Sequence, residues 1–318
     1  MNMVETENLG AAELRGELKP REPMARHVSW RAGGVVARAY FPADLADLAA
    51  FLRALPREEP VHMIGLGSNL LVRDGGLDGT AVFTHPALTE IRLQQAAGGG
   101  DVYAEAGVTS PKVARFAAQH DLAGAEFLAG IPGTVGGALA MNAGCFGGET
   151  WDIVATVMTL DRAGVMRERK RADYEFSYRI VRLKAEGKHS SSLSPHPPEE
   201  WFVAADFRLA RGAGAESRKK IAALLERRIA TQPLNQPNAG SVFRNPEGDY
   251  AARLIEACGL KGKVIGGAMI SDKHANFIIN RGNARAADIE ALIEQAERAV
   301  REKFGIALER EVRIVGEA

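Results

Sequence analysis

The sequence predicts an α+β protein of two or three domains. Three observations carry this. The chain has 318 residues, more than one hydrophobic core usually spans. Short apolar runs of strand length alternate with stretches whose apolar residues recur at three- and four-residue steps. Two glycine clusters interrupt these elements. Hydrophobic residues make up 46% and charged residues 25%, the balance of a folded chain. Forty basic residues offset 40 acidic ones, so the basic excess of a nucleic-acid binder is missing. Two cysteines, Cys145 and Cys258, make no disulfide framework and have no partner at metal-ligand spacing. A reducing compartment and no metal are therefore expected. With neither a signal-peptide pattern nor an apolar run of membrane length, the chain reads as cytoplasmic, without membrane insertion.

Residues 1–20 are polar and aperiodic and read as a loose tail. A first lobe is expected over residues 21–84. It starts with a strand at 34–41, followed by a helix carrying Leu45, Leu48, Leu52 and Leu55, with Asp44 suited to its positive end. A strand at 61–64 runs into the first glycine cluster. The texture changes from about Ala81, with a strand at 81–83 closing the first lobe; a second lobe, residues 85–212, has strands at 90–93 and 102–106. A helix there is opened by Ser110 as a cap and Pro111 in its first turn. Strands follow at 153–160 and 201–209, separated by a Ser/Pro-rich surface loop at 185–200. The C-terminal domain, residues 213–318, begins with a charged helix carrying Ile221, Leu224, Leu225 and Ile229. It continues with a helix at 251–257 and a strand at 275–280. A strong helix with Ile289, Leu292, Ile293, Ala296, Val300 and Phe304 is stopped by Gly305, and an alternating strand at 306–315 is placed to return to the earlier lobes.

The glycine clusters are residues 65–69 and 130–137. Glycine lacks a Cβ, so backbone N–H groups there can converge on phosphate oxygens, with Ser68, Asn69 and Thr134 as side-chain donors. Either loop alone is as readily a tight turn; the pair suggests a diphosphate held between two loops. The familiar dinucleotide signatures do not fit. Leu70 stands where GxGxxG needs its third glycine, and no GxxxxGK[ST] occurs.

These loops, Gly65-Leu66-Gly67-Ser68-Asn69-Leu70-Leu71-Val72 and Gly130-Ile131-Pro132-Gly133-Thr134-Val135-Gly136-Gly137-Ala138, resemble the flavin site of the UDP-N-acetylenolpyruvoylglucosamine reductase (MurB) family. Further segments are similar to that family in the same order. They are Trp30-Arg31-Ala32-Gly33-Gly34, Phe176-Ser177-Tyr178-Arg179, Ala239-Gly240-Ser241-Val242-Phe243-Arg244-Asn245-Pro246, Ser271-Asp272-Lys273-His274-Ala275-Asn276 and Leu308-Glu309-Arg310-Glu311-Val312-Arg313. The resemblance runs from about Trp30 to Gly316. Any one segment is modestly specific; the ordered set is highly so. It implies a two-lobed FAD-binding domain of the vanillyl-alcohol-oxidase type plus a C-terminal α+β substrate domain. It also implies NADPH as reductant and reduction of an enolpyruvyl UDP-sugar to UDP-N-acetylmuramate. That reaction serves peptidoglycan precursor synthesis, and through it cell-wall biogenesis, cell shape and cell division. A monomer is expected. The extra loop with a substrate-covering tyrosine found in one branch of the family has no match here, and the 185–200 stretch contains no tyrosine.

The resemblance assigns the residues. Reduction of a double bond conjugated with a carboxylate builds negative charge at that carboxylate and needs a proton donor at the neighbouring carbon. Arg179 matches the family's charge-stabilising cation, Ser241 its proton donor and Glu311 its C-terminal acid. Were 306–315 a strand, Glu309, Glu311 and Arg313 would share a face. FAD contacts are implied for Arg31, Gly65, Gly67, Ser68, Asn69, Leu70, Gly130, Ile131, Pro132, Gly133, Thr134, Gly136, Gly137, Ala138, Asn142 and Gly144. Substrate contacts are implied for Tyr178, Gln232, Asn238, Arg244, Asn245, His274 and Asn276. His274 reads equally as a core histidine with both nitrogens satisfied. Two other readings compete. A flavin oxidase would share the loops but often carries a His or Cys flavin tether. A non-catalytic flavin binder need not keep arginine, serine and glutamate in these motifs.

Overall fold

The computed structural model describes residues 14–85, 87–96, 99–184 and 199–318. The first lobe contains β1 (Glu17–Pro23), β2 (Val35–Phe41), α1 (Leu45–Ala54), β3 (Val61–Ile64), β4 (Leu70–Val72) and β5 (Leu77–Phe83). Its sheet runs β1-β2-β5-β3, with β1 antiparallel to β2 and the other pairs parallel. Helix α1 buries Leu48, Phe51 and Leu52, the stripe set by its three- and four-residue spacing. The Asp44 carboxylate caps it, accepting the Asp47 N–H at 2.9 Å, a contact worth about 1 kcal/mol. Residues 17–20 are not tail. Lys19 and Pro20 pair with Ala39 and Arg38 in the sheet. Because β1 is an edge strand and mostly exposed, it carries no apolar alternation to betray it.

The second lobe holds β6 (Ile91–Ala96), β7 (Gly99–Glu105), α2 (Ser110–Gln119), β8 (Leu122–Ala123), α3 (Val135–Ala140), β9 (Gly144–Cys145), β10 (Gly148–Glu149), β11 (Val154–Asp161), β12 (Met166–Lys170), β13 (Tyr174–Ser177), β14 (Ile180–Leu183), β15 (Glu200–Arg211) and α4 (Gly214–Thr231). An antiparallel sheet in the order β12-β11-β15-β7-β6, with β8 also on β15, forms its frame. The core between sheet and helices gathers Val102, Val113, Leu128, Trp151, Phe207 and Ile221. Two expectations fail here. Ser110 does not cap α2: Lys112 already bonds back to Thr109 O, so Ser110 lies inside the first turn and its buried hydroxyl has no partner. Its N–H instead donates to Gly133 O at 2.9 Å and ties the helix to the second glycine loop. Helix α4 was expected to open the C-terminal domain. It packs on this lobe instead, with Gly214 N–H on Asp121, Ser217 Oγ on Glu126 and Ile221 in the core. The boundary expected before residue 213 therefore falls after Thr231. Of the Ser/Pro-rich stretch, residues 185–198 lie outside the described residues.

The C-terminal part comprises α5 (Ala251–Ala257), β16 (Val264–Ile265), β17 (Ala268–Ile270), β18 (Ile278–Asn280), α6 (Ala286–Phe304) and β19 (Arg313–Val315). Helix α6 buries Ile289, Leu292, Ile293, Ala296 and Val300 against the β16-β17-β18 sheet and α5. Gly305, in the left-handed conformation at φ 69°, ends it. The expected strand at 306–315 shrinks to three residues, because only Arg313–Val315 meets a free edge, that of β4, in parallel register. Glu309 and Glu311 consequently diverge, their side chains 74% and 10% exposed.

Trp30 welds the first lobe to this domain. It is fully buried in the C-terminal core, its indole N–H donates to Ile278 O at 2.7 Å, and Asn280 Nδ2 donates to Trp30 O at 2.8 Å. Asp74 of the first lobe accepts the Ala286 and Ala287 N–H groups at the start of α6. Among the described residues no helix is long and apolar enough to cross a membrane.

Candidate active site

A cleft of about 340 Å³, open to solvent, lies where the three parts meet. One wall is backbone. Gly65, Gly67, Ser68, Asn69 and Leu70 line it from the turn between β3 and β4. Gly130, Ile131, Pro132, Gly133, Thr134, Gly137, Ala138 and Gly144 line it from the loop before α3 and the segment after it. The glycines are sterically required. Gly67 sits at φ 57°, and a Cβ there would stand 2.3 Å from His27 O. A Cβ on Gly65 would stand 2.3 Å from Thr134 Oγ1, and one on Gly130 2.5 Å from Cys145 Sγ. The Thr134 hydroxyl is buried and has no hydrogen-bond partner among the described residues. An orphaned donor in a cradle of Cβ-free backbone fits a diphosphate, so the residues present suit FAD.

The other wall is made of side chains from three segments. Arg179 sits in the two-residue turn between β13 and β14, at φ 61°, a left-handed backbone that costs a non-glycine residue about 1 kcal/mol or more. Its Nη2 meets Glu311 Oε1 at 2.7 Å, while its Nε is buried without a partner among the described residues. The Tyr178 hydroxyl donates to the other Glu311 oxygen at 3.3 Å. Burial pushes the Glu311 carboxyl above its ordinary range, against the opposing pull of the Arg179 charge and the Tyr178 hydroxyl. Ser241 lines the same cleft. It follows Gly240, whose left-handed turn (φ 76°) is closed by the Asn238 side chain accepting the Gly240 N–H. Just beyond Ser241, Val242 O accepts the Glu311 N–H at 2.7 Å, fixing serine and acid side by side.

A seam joins the walls. Asn69 Nδ2 donates to Glu311 O at 3.0 Å, and Arg313 N–H donates to Asn69 O at 3.0 Å. The first glycine loop and the acid-bearing segment are thus one hydrogen-bonded unit.

Several residues expected at the site are not among those lining the cleft. Arg31 is exposed, and its carbonyl accepts from Asn280. Gly136 donates to Ala106 O inside the fold. Asn142 is buried, with its amide on Glu149 and its oxygen on the Trp151 N–H. Asn245 accepts the Ala251 N–H at the start of α5 at 3.1 Å. Asn238 organises its own turn. Asn276 is a buried clamp: its oxygen accepts the Phe243 N–H and its amide donates to Phe243 O, both within 2.9 Å. His274 Nδ1 accepts the Asn276 N–H at 3.3 Å, and burial pulls its pKa down. Each of these polar groups makes hydrogen bonds within the protein. Tyr178 and Arg244 stand beside the acid: the Arg244 guanidinium lies 5.9 Å from the Tyr178 ring centroid, and its Nε is buried without a partner. Gln232 does line the cleft.

Sequence reasoning missed Arg228. It lies on the last turn of α4 and lines the cleft, and its Nε donates to Gln232 Oε1 at 2.8 Å. Its position one helical turn before Gln232 was the available signal. Cys145 also lines the cleft, and burial pushes its thiol up.

Residues 36–168 match the FAD binding domain family, and residues 232–315 match the family described as UDP-N-acetylenolpyruvoylglucosamine reductase, C-terminal domain. The UDP-N-acetylenolpyruvoylglucosamine reductase of Thiobacillus denitrificans is 55% identical over 327 residues, spanning 100% of this chain and 98% of its own. That of Nitrosospira multiformis is 57% identical over 317 residues, spanning 97% and 91%. The crystal structure of UDP-N-acetylenolpyruvylglucosamine reductase (MurB) from Thermus caldophilus aligns with a TM-score of 0.75 at 30% identity, covering 94% of this chain and 98% of that one. Near-complete coverage at this identity, over both a flavin-binding and a reductase-specific domain, shows that the chain belongs to the UDP-N-acetylenolpyruvoylglucosamine reductase family.

Proposed function

We propose that this protein reduces the enolpyruvyl group of UDP-N-acetylglucosamine enolpyruvate to give UDP-N-acetylmuramate, a step in peptidoglycan precursor synthesis. It is an FAD-dependent oxidoreductase with NADPH as reductant. The observation that carries this reading is the opposition, across one cleft, of a Cβ-free diphosphate cradle and the Arg179–Glu311 pair with Ser241.

FAD, once reduced by NADPH, supplies the hydride that C3 of the enolpyruvyl group accepts. The chain's own residues do the rest. Residues 65–70 and 130–138 would hold the diphosphate. Arg179 donates from its unpartnered Nε to the substrate carboxylate, where negative charge accumulates. Glu311 holds the other edge of that guanidinium, and Tyr178 holds Glu311. Ser241 delivers a proton to C2. A serine hydroxyl is a weak acid, so it acts only when well aligned, and the Val242–Glu311 and Phe243–Asn276 bonds supply that alignment. Arg244, with its unpartnered Nε, is placed to take a phosphate oxygen of the UDP group. Gln232 is a further substrate contact. The cysteine usage supports the cytoplasm as location, and we take the active unit to be a monomer, which sedimentation tests.

The decisive experiment is optical. Purified protein should be yellow, bleach on anaerobic NADPH and recolour on addition of the enolpyruvyl UDP-sugar. Colourless protein that takes up no FAD, or bleached protein that the UDP-sugar fails to reoxidise, would refute the reading.

A further inference from the structure

Arg228 is a half-buried guanidinium that has no carboxylate partner among the described residues. Its one bonded neighbour is the neutral Gln232 side chain. Burial of an unbalanced positive charge is costly, and it lowers the affinity of this guanidinium for its proton. The other buried cation of the cleft, Arg179, is already balanced by Glu311 at 2.7 Å. Arg179, Arg228 and Cys145 line the same cleft. Cys145 belongs to the segment after α3 and stands against the second glycine loop, where a Cβ on Gly130 would lie 2.5 Å from its sulfur. Among the described residues, the cleft that holds Arg179, Ser241 and Glu311 thus also holds a half-buried positive charge matched by no carboxylate, in addition to Arg313, which is exposed.

We infer that Arg228 is the counter-charge for the reduced flavin ring. The inference rests on the reading of the cleft as a flavin site. The oxidised ring is neutral. On accepting a hydride from NADPH it gains two electrons and one proton, hence one negative charge, and NADP⁺ is released. When the hydride passes to C3 of the substrate and a proton goes to C2, the ring is neutral again. A fixed cation with no partner of its own stabilises the charged form and leaves the neutral form nearly unaffected. Arg228 is then a positioning and electrostatic residue that makes the bound flavin easier to reduce, and Gln232 aims it.

Sulfite tests this without substrate or NADPH, because it adds to the oxidised ring and leaves it negatively charged. In Arg228→Gln the sulfite dissociation constant should rise about tenfold. The two-electron potential of bound FAD should fall by the matching amount, about 30 mV per tenfold. Arg228→Lys should recover most of both. Oxidised FAD should bind both variants within about threefold of the parent. Unchanged sulfite affinity in Arg228→Gln would overturn the inference, as would a higher KM for the UDP-sugar with an unchanged potential, which would make Arg228 a substrate contact. Loss of oxidised FAD from Arg228→Gln would overturn it too, by making the residue a holder of the neutral cofactor. Failure of the parent protein to bind FAD would instead strike the flavin reading itself.

Discussion

On one side of the cleft, residues 65–70 and 130–138 present backbone and small side chains, with no formal charge. On the other, Arg179, Ser241 and Glu311 come from three separate segments and present charge and a hydroxyl. The first wall is defined by what is missing: a Cβ at Gly65, Gly67 or Gly130 would overlap a neighbour. The second is defined by what is held. Glu311 is fixed by Asn69, Val242, Arg179 and Tyr178, and the segment after Ser241 is clamped by Asn276. The difference teaches that the two walls fail differently. Damage to the backbone wall costs the cofactor; damage to the side-chain wall costs the chemistry while the cofactor stays.

Ser241→Ala breaks the second wall alone and should have the largest effect. Substrate reduction should fall about 10³-fold, while FAD content and flavin reduction by NADPH stay normal. Stopped-flow measurement of the two half-reactions separates these, and normal turnover would remove Ser241 from the mechanism. Gly67→Ala breaks the first wall alone. Its Cβ meets His27 O and Val28 Cα in a left-handed backbone, so FAD affinity should drop about a hundredfold, near 3 kcal/mol. Fluorescence titration of the apoprotein reads this out, and unaltered FAD binding would show that the loop does not need its glycine.

Asn276→Ala tests whether the second wall depends on support outside the cleft. It leaves the buried Phe243 N–H and C=O unsatisfied, so stability should fall by about 2 kcal/mol in denaturant titration. kcat should fall more than FAD affinity does; a change in FAD affinity alone would place the clamp on the wrong wall. The smallest effect is on pH dependence. Burial lowers the His274 pKa below 6.5, so the folded state binds fewer protons there than the unfolded chain. That contribution is complete above pH 6.5 and is lost as pH falls through the depressed value. His274→Asn should flatten the acid side of the stability profile, by at most about 1.4 kcal/mol per pH unit. A profile that keeps its slope would mean that another group titrates.

The two walls were unequally legible in the sequence. The glycine loops were readable because a missing Cβ is a property of the residue itself, and the helices α1, α5 and α6 because apolar spacing is local. Residues 17–20 and the contracted strand β19 escaped because sheet pairing depends on which edge is free. The polar residues of the resembling segments could be named but not sorted. Asn142, Asn245 and Asn276 turned out to satisfy backbone groups, and Arg228, from a helix with an ordinary charged face, turned out to line the cleft.

By itself the sequence determined the α+β class, the register of the main helices and the two loops where backbone can meet an anion, since these follow from side-chain size and period. Only the tertiary structure decided that α4 belongs to the second lobe, that Arg179 is neutralised by Glu311 and that Arg228 is not. The reason is physical: charge balance and desolvation are set by neighbours brought from far along the chain, and no local pattern encodes who those neighbours are.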